Sequence, residues 1–186
     1  MVTLPNNLTF VGLNGNVVGL NPSNSVNGDT IWTWTASSGT GTPAMVYDPV
    51  AQVLYVCVDG YAYSIDKTGK LLKANTLTGK GSGVASIALG PPATDSQAQY
   101  LYVAFNSQVI PLIPSTLAIA PNPAQPWSSP SGTGQVTLLM LPGFENGMLI
   151  ASVQGTTYGL SLNLDQLWQN TLPGLGNGTA SLATTL

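Results

Sequence analysis

The sequence contains no histidine and no arginine, and its single cysteine is Cys57. Without histidine, neither a Ser-His-Asp triad nor an imidazole proton shuttle can be assembled. One cysteine excludes an intramolecular disulfide, and a zinc site built from Cys and His is out of reach. Charge is scarce too: 6% of residues are Asp, Glu, Lys or Arg, against roughly 25% in ordinary domains. The four cations, Lys67, Lys70, Lys73 and Lys80, fall in one short stretch, which argues against binding a nucleic-acid backbone. Although 44% of residues are hydrophobic, no apolar run approaches the ~18 residues of a membrane span. No basic segment followed by an apolar one opens the sequence, so no signal peptide is expected. Solubility must come from Asn, Ser, Thr, Gln and Gly, a surface that points to an extracellular or periplasmic setting. Sequons at Asn7 and Asn177 would permit N-glycosylation there.

What the sequence does have is a fourfold repeat. The run Leu8-Thr-Phe-Val-Gly-Leu-Asn-Gly15 recurs as Val53-Leu-Tyr-Val-Cys-Val-Asp-Gly60, Tyr100-Leu-Tyr-Val-Ala-Phe-Asn-Ser107 and Met148-Leu-Ile-Ala-Ser-Val-Gln-Gly155. A period in the forties with several short strands per unit marks a β-propeller blade. Each repeat resolves into four strands, A to D. Strand A reads 42–47, 84–89, 135–140 and 179–184. Its third column is small (Ala44, Ser86, Thr137, Ser181) and its fourth large and apolar (Met45, Ile87, Leu138, Leu182). Small residues at a crowded axis and large ones between blades explain that alternation.

Strand B is the recurring run, and its closing Asn-Gly, Asp-Gly or similar pair suits a two-residue type I′ turn into strand C. Strand C covers 17–20, 62–65, 109–112 and 157–160. Pro111 in the third copy must avoid a ladder N–H position. Strand D covers 30–34, 70–73, a weak 126–127 segment and 166–168. The 114–130 connection is Pro-rich and is the clear insertion. A Gly-x-Gly follows strand D in every copy (Gly39/Gly41, Gly81/Gly83, Gly132/Gly134, Gly176/Gly178). A nucleotide loop would need a following helix, and here a strand follows. These are read as crossover turns between blades.

The expectation is therefore an all-β propeller of four four-stranded antiparallel blades, 1–41, 42–83, 84–134 and 135–178, within one domain, 1–186. It closes as four blades or forms half of an eight-bladed ring. The sequence opens almost directly with strand B, so blade 1 is expected to lack its own strand A. Residues 179–186 would then complete it in the same chain or in a partner. A homodimer with reciprocal strand exchange is the favoured form.

The segments Ser64-Ile-Asp66-Lys-Thr-Gly69-Lys-Leu-Leu and Gly19-Leu-Asn-Pro22, continued by Gly28-Asp-Thr-Ile-Trp32, resemble the signature of pyrroloquinoline-quinone-type propeller repeats. The resemblance covers the chain as a repeat pattern, with these two copies closest. It implies that Trp32 and Trp168 pack structurally between blades, whereas Trp34 and Trp127 are free to be exposed. It does not bring the quinone chemistry, which in that family uses a vicinal disulfide or similar lid, Ca²⁺ and basic residues. No cofactor and no metal are expected. Cys57 shares its column with Gly12, Ala104 and Ser152, so it is read as a small buried side chain.

The carboxylates are Asp29, Asp48, Asp59, Asp66, Asp95, Glu145 and Asp165. Asp48 and Asp95 come nearest to an acid pair for glycoside hydrolysis, yet each lies in a Pro-containing A–B connection and reads as a solvated turn residue. No catalytic constellation emerges. A propeller does gather its B–C and D–A turns on one face. The residues there are Asn14, Asp59, Asn106, Gln154, Thr40, Ser82, Thr133 and Asn177, a ring of amides and hydroxyls with one carboxylate. Such groups suit a polyhydroxylated ligand, and they are equally the residues that turns select. Two function classes stand: a non-catalytic scaffold that binds a protein partner, and a carbohydrate-binding lectin-like propeller. A fragment or engineered half of a longer propeller is a third reading. No nucleic acid and no membrane span are expected.

Overall fold

The computed structural model describes residues 2–3, 8–21, 29–80, 83–95, 97–144, 147–172 and 180–183. These form sixteen strands and no helix. Sheet 1 contains β1 (Val2–Thr3), β2 (Thr9–Leu13), β3 (Asn16–Asn21) and β4 (Asp29–Thr35). Sheet 2 contains β5 (Ala44–Asp48), β6 (Val53–Val58), β7 (Tyr61–Asp66) and β8 (Leu71–Thr76). Sheet 3 contains β9 (Ser86–Leu89), β10 (Leu101–Phe105), β11 (Gln108–Leu112) and β12 (Trp127–Ser128). Sheet 4 contains β13 (Thr137–Leu141), β14 (Met148–Val153), β15 (Thr156–Leu160) and β16 (Gln166–Thr171). Each sheet is a four-stranded antiparallel meander in chain order, which is the blade unit of a propeller. The chain divides into two compact units, Met1–Ala85 with sheets 1 and 2, and Ser86–Leu186 with sheets 3 and 4.

Local chemistry sets the hairpins. Asn14, Asp59, Asn106 and Gln154 open the B–C turns at φ 48°, 46°, 42° and 47°, and Gly15, Gly60, Ser107 and Gly155 follow, also at positive φ. Two successive positive φ values define a type I′ turn, whose twist matches that of the flanking strands. Pro111 faces Tyr102 in the ladder. Counted from the turn, this is a non-hydrogen-bonded pair, so the missing N–H would have pointed away from β10. On that outer side β12 reaches only Gln108 and Val109, and the Pro111 carbonyl accepts from Ala120 N–H at 2.8 Å.

Each unit has its own core between its two sheets. In the first, Phe10, Val17 and Trp34 of sheet 1 meet Leu54, Val56, Tyr63 and Ile65 of sheet 2. In the second, Tyr102, Ala104 and Val109 of sheet 3 meet Leu138, Leu149, Val153 and Tyr158 of sheet 4. Trp34 and Trp127 occupy the same register position, opposite Val17 and Val109. Each indole stands edge-on to a tyrosine of the following sheet: Trp34 to Tyr63 at 4.9 Å and Trp127 to Tyr158 at 5.0 Å. These two tryptophans, which the repeat pattern left free to be exposed, are packed instead: Trp34 is buried and Trp127 half-buried. The pattern, missed in the sequence, alternates by sheet, with Trp in sheets 1 and 3 and the receiving Tyr in sheets 2 and 4.

Sheet 1 also departs from the expectation that it lacks a first strand. Val2 and Thr3 pair antiparallel with Phe10 and Thr9, because a short β-prone segment next to an open edge gains ladder hydrogen bonds. This strand has two residues where its counterpart β5 has five. Residues 180–183, although they read as a strand A, belong to no strand. Cys57 is buried in β6 opposite Ala44.

Candidate functional site

Two members of the expected ring of turn residues, Asp59 and Gln154, are internal clamps. The Asp59 carboxylate accepts the backbone N–H groups of Thr40 and Gly41 at 2.8 and 3.0 Å. It thereby pins the crossover that leaves sheet 1 to the B–C turn of sheet 2. Gln154 does the same in the second unit by donating its amide to the Thr133 carbonyl. Gly41 and Gly134 are the positions where any Cβ would run into those clamping side chains, at 2.7 Å from Asp59 Oδ1 and 2.9 Å from Gln154 Cγ. Thr40 with Asp59 and Thr133 with Gln154 are therefore brought together as pairs. Asn14 and Asn106 hold their turns at positive φ, and the Asn14 carbonyl accepts from Asn16 Nδ2. Ser82 and Asn177 lie outside the described residues.

The acids are committed in a similar way. Asp48 is not the solvated turn residue that the sequence suggested. It is buried, and its Oδ1 accepts from the N–H groups of Val50 and Ala51, capping the A–B turn of sheet 2. Asp66 Oδ1 takes the Thr68 N–H and hydroxyl and the Lys70 N–H. The Thr68 hydroxyl, foremost among these, holds its carboxyl below the ordinary value. Asp165 accepts from the Ser161 hydroxyl. Asp95 is exposed in the A–B connection of sheet 3, and Glu145 lies outside the described residues. Among the described residues, no cluster of three or more His, Cys, Asp or Glu could hold a metal ion. Burial pushes the Cys57 thiol upward, so the thiolate is scarce at neutral pH.

A cavity of about 670 Å³ opens in the second unit, at the strand ends opposite the B–C turns. Its walls come from both long connections of sheet 3 and from the shorter ones of sheet 4. Pro91, Pro92, Thr94, Gln97 and Tyr100 lie in the A–B connection, and Pro123 in the insertion. Pro142 and Asn163 come from sheet 4. No wall residue is charged. Thr94 and Gln97 exchange backbone hydrogen bonds at 2.8 and 3.3 Å, which folds the A–B connection back on itself. Pro91 packs against Gly147, where a Cβ would sit 3.3 Å from its ring. Phe144, two residues beyond Pro142, is 48% exposed. None of these residues stood out in the sequence. The available signal was length: 114–130 is the visible insertion, and the sheet 3 A–B connection runs from Leu89 to Leu101 where that of sheet 2 runs from Asp48 to Val53.

No family model and no curated protein matches the chain. Among solved structures, it is similar to the crystal structure of a protein of unknown function from Bacteroides caccae. The two share 12% identity at a TM-score of 0.53, over 87% of this chain and 59% of that one. The likeness is one of fold, and this chain spans under two thirds of that protein's length. Among the described residues no helix is long and apolar enough to cross a membrane.

Proposed function

We propose that the chain is a non-catalytic β-propeller module that holds a partner on the cavity face of its second unit. The observation that carries this reading is the contrast between the two ends of the sheets. At the B–C end of each unit one polar side chain, Asp59 or Gln154, is spent on clamping a crossover, whereas at the other end of the second unit a roomy, uncharged cavity presents side chains to solvent. Four of the six described carboxylates bind turns, which leaves little for acid–base chemistry. The packing of Trp32 between sheets 1 and 2 supports the resemblance to quinoprotein-type repeats. An anionic quinone would find no cationic side chain in the cavity wall, which supports a member without the cofactor.

A second reading has its own support. Gln97, Asn163 and Thr94 beside Tyr100 offer directional, neutral hydrogen bonds next to an aromatic ring, a combination suited to a carbohydrate. A glycan array probed with the chain and with a Gln97→Ala/Asn163→Ala variant tests the two. A neutral oligosaccharide that the variant binds roughly tenfold more weakly establishes the lectin reading. No glycan bound, together with a protein partner lost on Tyr100→Ala, establishes the scaffold. Turnover of any array glycan overturns the non-catalytic reading altogether.

A further inference from the structure

Charge is divided unequally between the two units. In Met1–Ala85 the four lysines are matched by Asp29, Asp48, Asp59 and Asp66. In Ser86–Leu186 the carboxylates Asp95, Glu145 and Asp165 are accompanied by no lysine, arginine or histidine, so the formal net charge of -3 belongs to this unit. Two of the three flank the cavity. Asp95 sits at the tip of the fold that Thr94 and Gln97 close, and Asp165 stands two residues beyond the wall residue Asn163. Asp95 is exposed, and its carboxylate accepts no hydrogen bond from any described residue. Asp165 bonds the Ser161 hydroxyl through Oδ2 alone.

The wall between these carboxylates is apolar with a few open acceptors. Pro91, Pro92, Pro123 and Pro142 present rings and no backbone N–H. Tyr100 is 8% exposed, yet its hydroxyl bonds no described residue. Nor is that hydroxyl sealed: among the described residues only Gln108 Oε1 is a buried side-chain polar atom without a partner. It therefore opens on the cavity that Tyr100 lines. The side-chain amides of Gln97 and Asn163 bond no described residue either, and each supplies an acceptor oxygen. Apolar walls, open acceptors and carboxylates at the edge complement a long apolar stem that ends in a cationic donor. The carboxylates decide the sign of that ligand, because hydroxyls and amides accept either.

We propose that the partner segment held by this cavity is basic: a Lys- or Arg-bearing stretch of another protein. Its side-chain stems lie along the prolines, and its cationic heads bond Tyr100, Gln97 and Asn163 and are balanced by Asp95 and Asp165. The inference rests on the reading of the cavity as a partner site and adds the partner's chemistry. A volume of about 670 Å³ falls within the range of about 300–1,000 Å³ typical of ligand sites.

The test titrates the full chain with a capped peptide, acetyl-Lys-Gly-Lys-Gly-Lys-amide, and with its glutamate counterpart, followed by amide chemical shifts up to millimolar peptide. The lysine peptide should bind and the glutamate peptide should not. Asp95→Asn should weaken binding roughly threefold. Asp29→Asn removes the same charge from exposed β4 in the other unit and should leave binding unchanged. Tyr100→Phe keeps the ring and should weaken binding roughly fivefold. Equal weakening by Asp95→Asn and Asp29→Asn marks attraction to net charge alone and overturns the proposal, as does an unbound lysine peptide or equal binding of both peptides. Ala98→Trp, which fills the cavity from an exposed wall position with an unchanged circular-dichroism spectrum, separates this failure from failure of the site. A protein partner or glycan lost on Ala98→Trp, with the lysine peptide unbound, overturns the basic partner and keeps the site. Lysine-peptide binding that survives Ala98→Trp overturns both.

Discussion

The indole Nε1 of Trp32 donates a 2.9 Å hydrogen bond to the carbonyl of Lys67. The bond joins the outermost strand of sheet 1 to the C–D turn of sheet 2. The ring lies between two glycines. A Cβ on Gly19 would sit 2.5 Å from the indole Cε2, and one on Gly69 would sit 2.7 Å from Cδ2. Gly69 also holds φ +86° in a turn that Asp66 caps from below. A motif that reads in sequence as Asp-Lys-Thr-Gly is thus a receptor for the tryptophan of the preceding sheet.

Changes around this tryptophan should therefore be graded. Gly69→Ala suffers both the left-handed φ and the collision, and should lose about 1–3 kcal/mol of stability. Trp32→Phe keeps an apolar ring but leaves the Lys67 carbonyl without this donor, at about 1 kcal/mol. Trp32→Ala should cost more than either, about 2–4 kcal/mol. Urea titration of the three variants measures the order.

The two edge-on pairs, Trp34 with Tyr63 and Trp127 with Tyr158, should behave alike although they lie in different units. A double-mutant cycle to leucine at each pair should give a coupling of about 0.5–1.5 kcal/mol beyond lost area. The tyrosines do further work, since the Tyr63 hydroxyl donates to the Ser38 carbonyl and that of Tyr158 bonds Ser131. Tyr→Phe at either site should therefore be measurably destabilising on its own.

Asp59→Ala should destabilise the first unit by about 1.5–3 kcal/mol, because a carboxylate bonded to two backbone N–H groups is removed. Asp59→Asn should retain part of that. If Asp59 served a ligand instead, stability would hold and only binding would change; thermal unfolding of the two variants distinguishes the outcomes.

Alkali should unfold the protein through its buried phenols. Burial, with the charge of Asp48 second, pushes Tyr55 up to about 12, and burial likewise raises Tyr47 and Tyr102. A raised pKa means that the folded state favours the neutral phenol. The stabilisation is complete below the ordinary value near 10 and is lost as pH rises through about 12. The share of the tyrosinate absorbance lost on Tyr55→Phe or Tyr102→Phe should accordingly rise together with loss of the near-ultraviolet dichroism, not before it.

Cys57 should be unreactive towards a thiol reagent at neutral pH until denaturant exposes it, since it is fully buried and its thiol is held protonated. Labelling that proceeds at the rate of a free thiol in native protein would contradict this.

The strands B and C, their type I′ turns and the small buried column of Cys57 were legible because each depends on residues close in sequence. Asn-Gly or Asp-Gly dictates the turn, and a short apolar run between turn signals marks a strand buried on both faces, as β6, β10 and β14 are. The candidate site was not legible in the same way. The turn ring was visible as a set of polar residues, but whether Asp59 looks to solvent or to the Thr40 amide depends on where the crossover from the previous sheet arrives. The solvated reading of Asp48 failed for the same kind of reason: the buried carboxylate is stabilised by the two N–H groups of its own turn.

By itself, the sequence determined that the protein is built of four-stranded antiparallel sheets, and that these 186 residues hold neither a histidine nor a second cysteine for an intramolecular disulfide. Those properties follow from composition and from short-range periodicity, repeated four times. The tertiary structure alone decided which sheet receives each tryptophan, that Val2 and Thr3 pair with Phe10 and Thr9, and that prolines and amides from four connections surround an uncharged cavity. The first and last of these are meetings of residues from separate repeats, and packing between sheets, not local propensity, selects which of them touch.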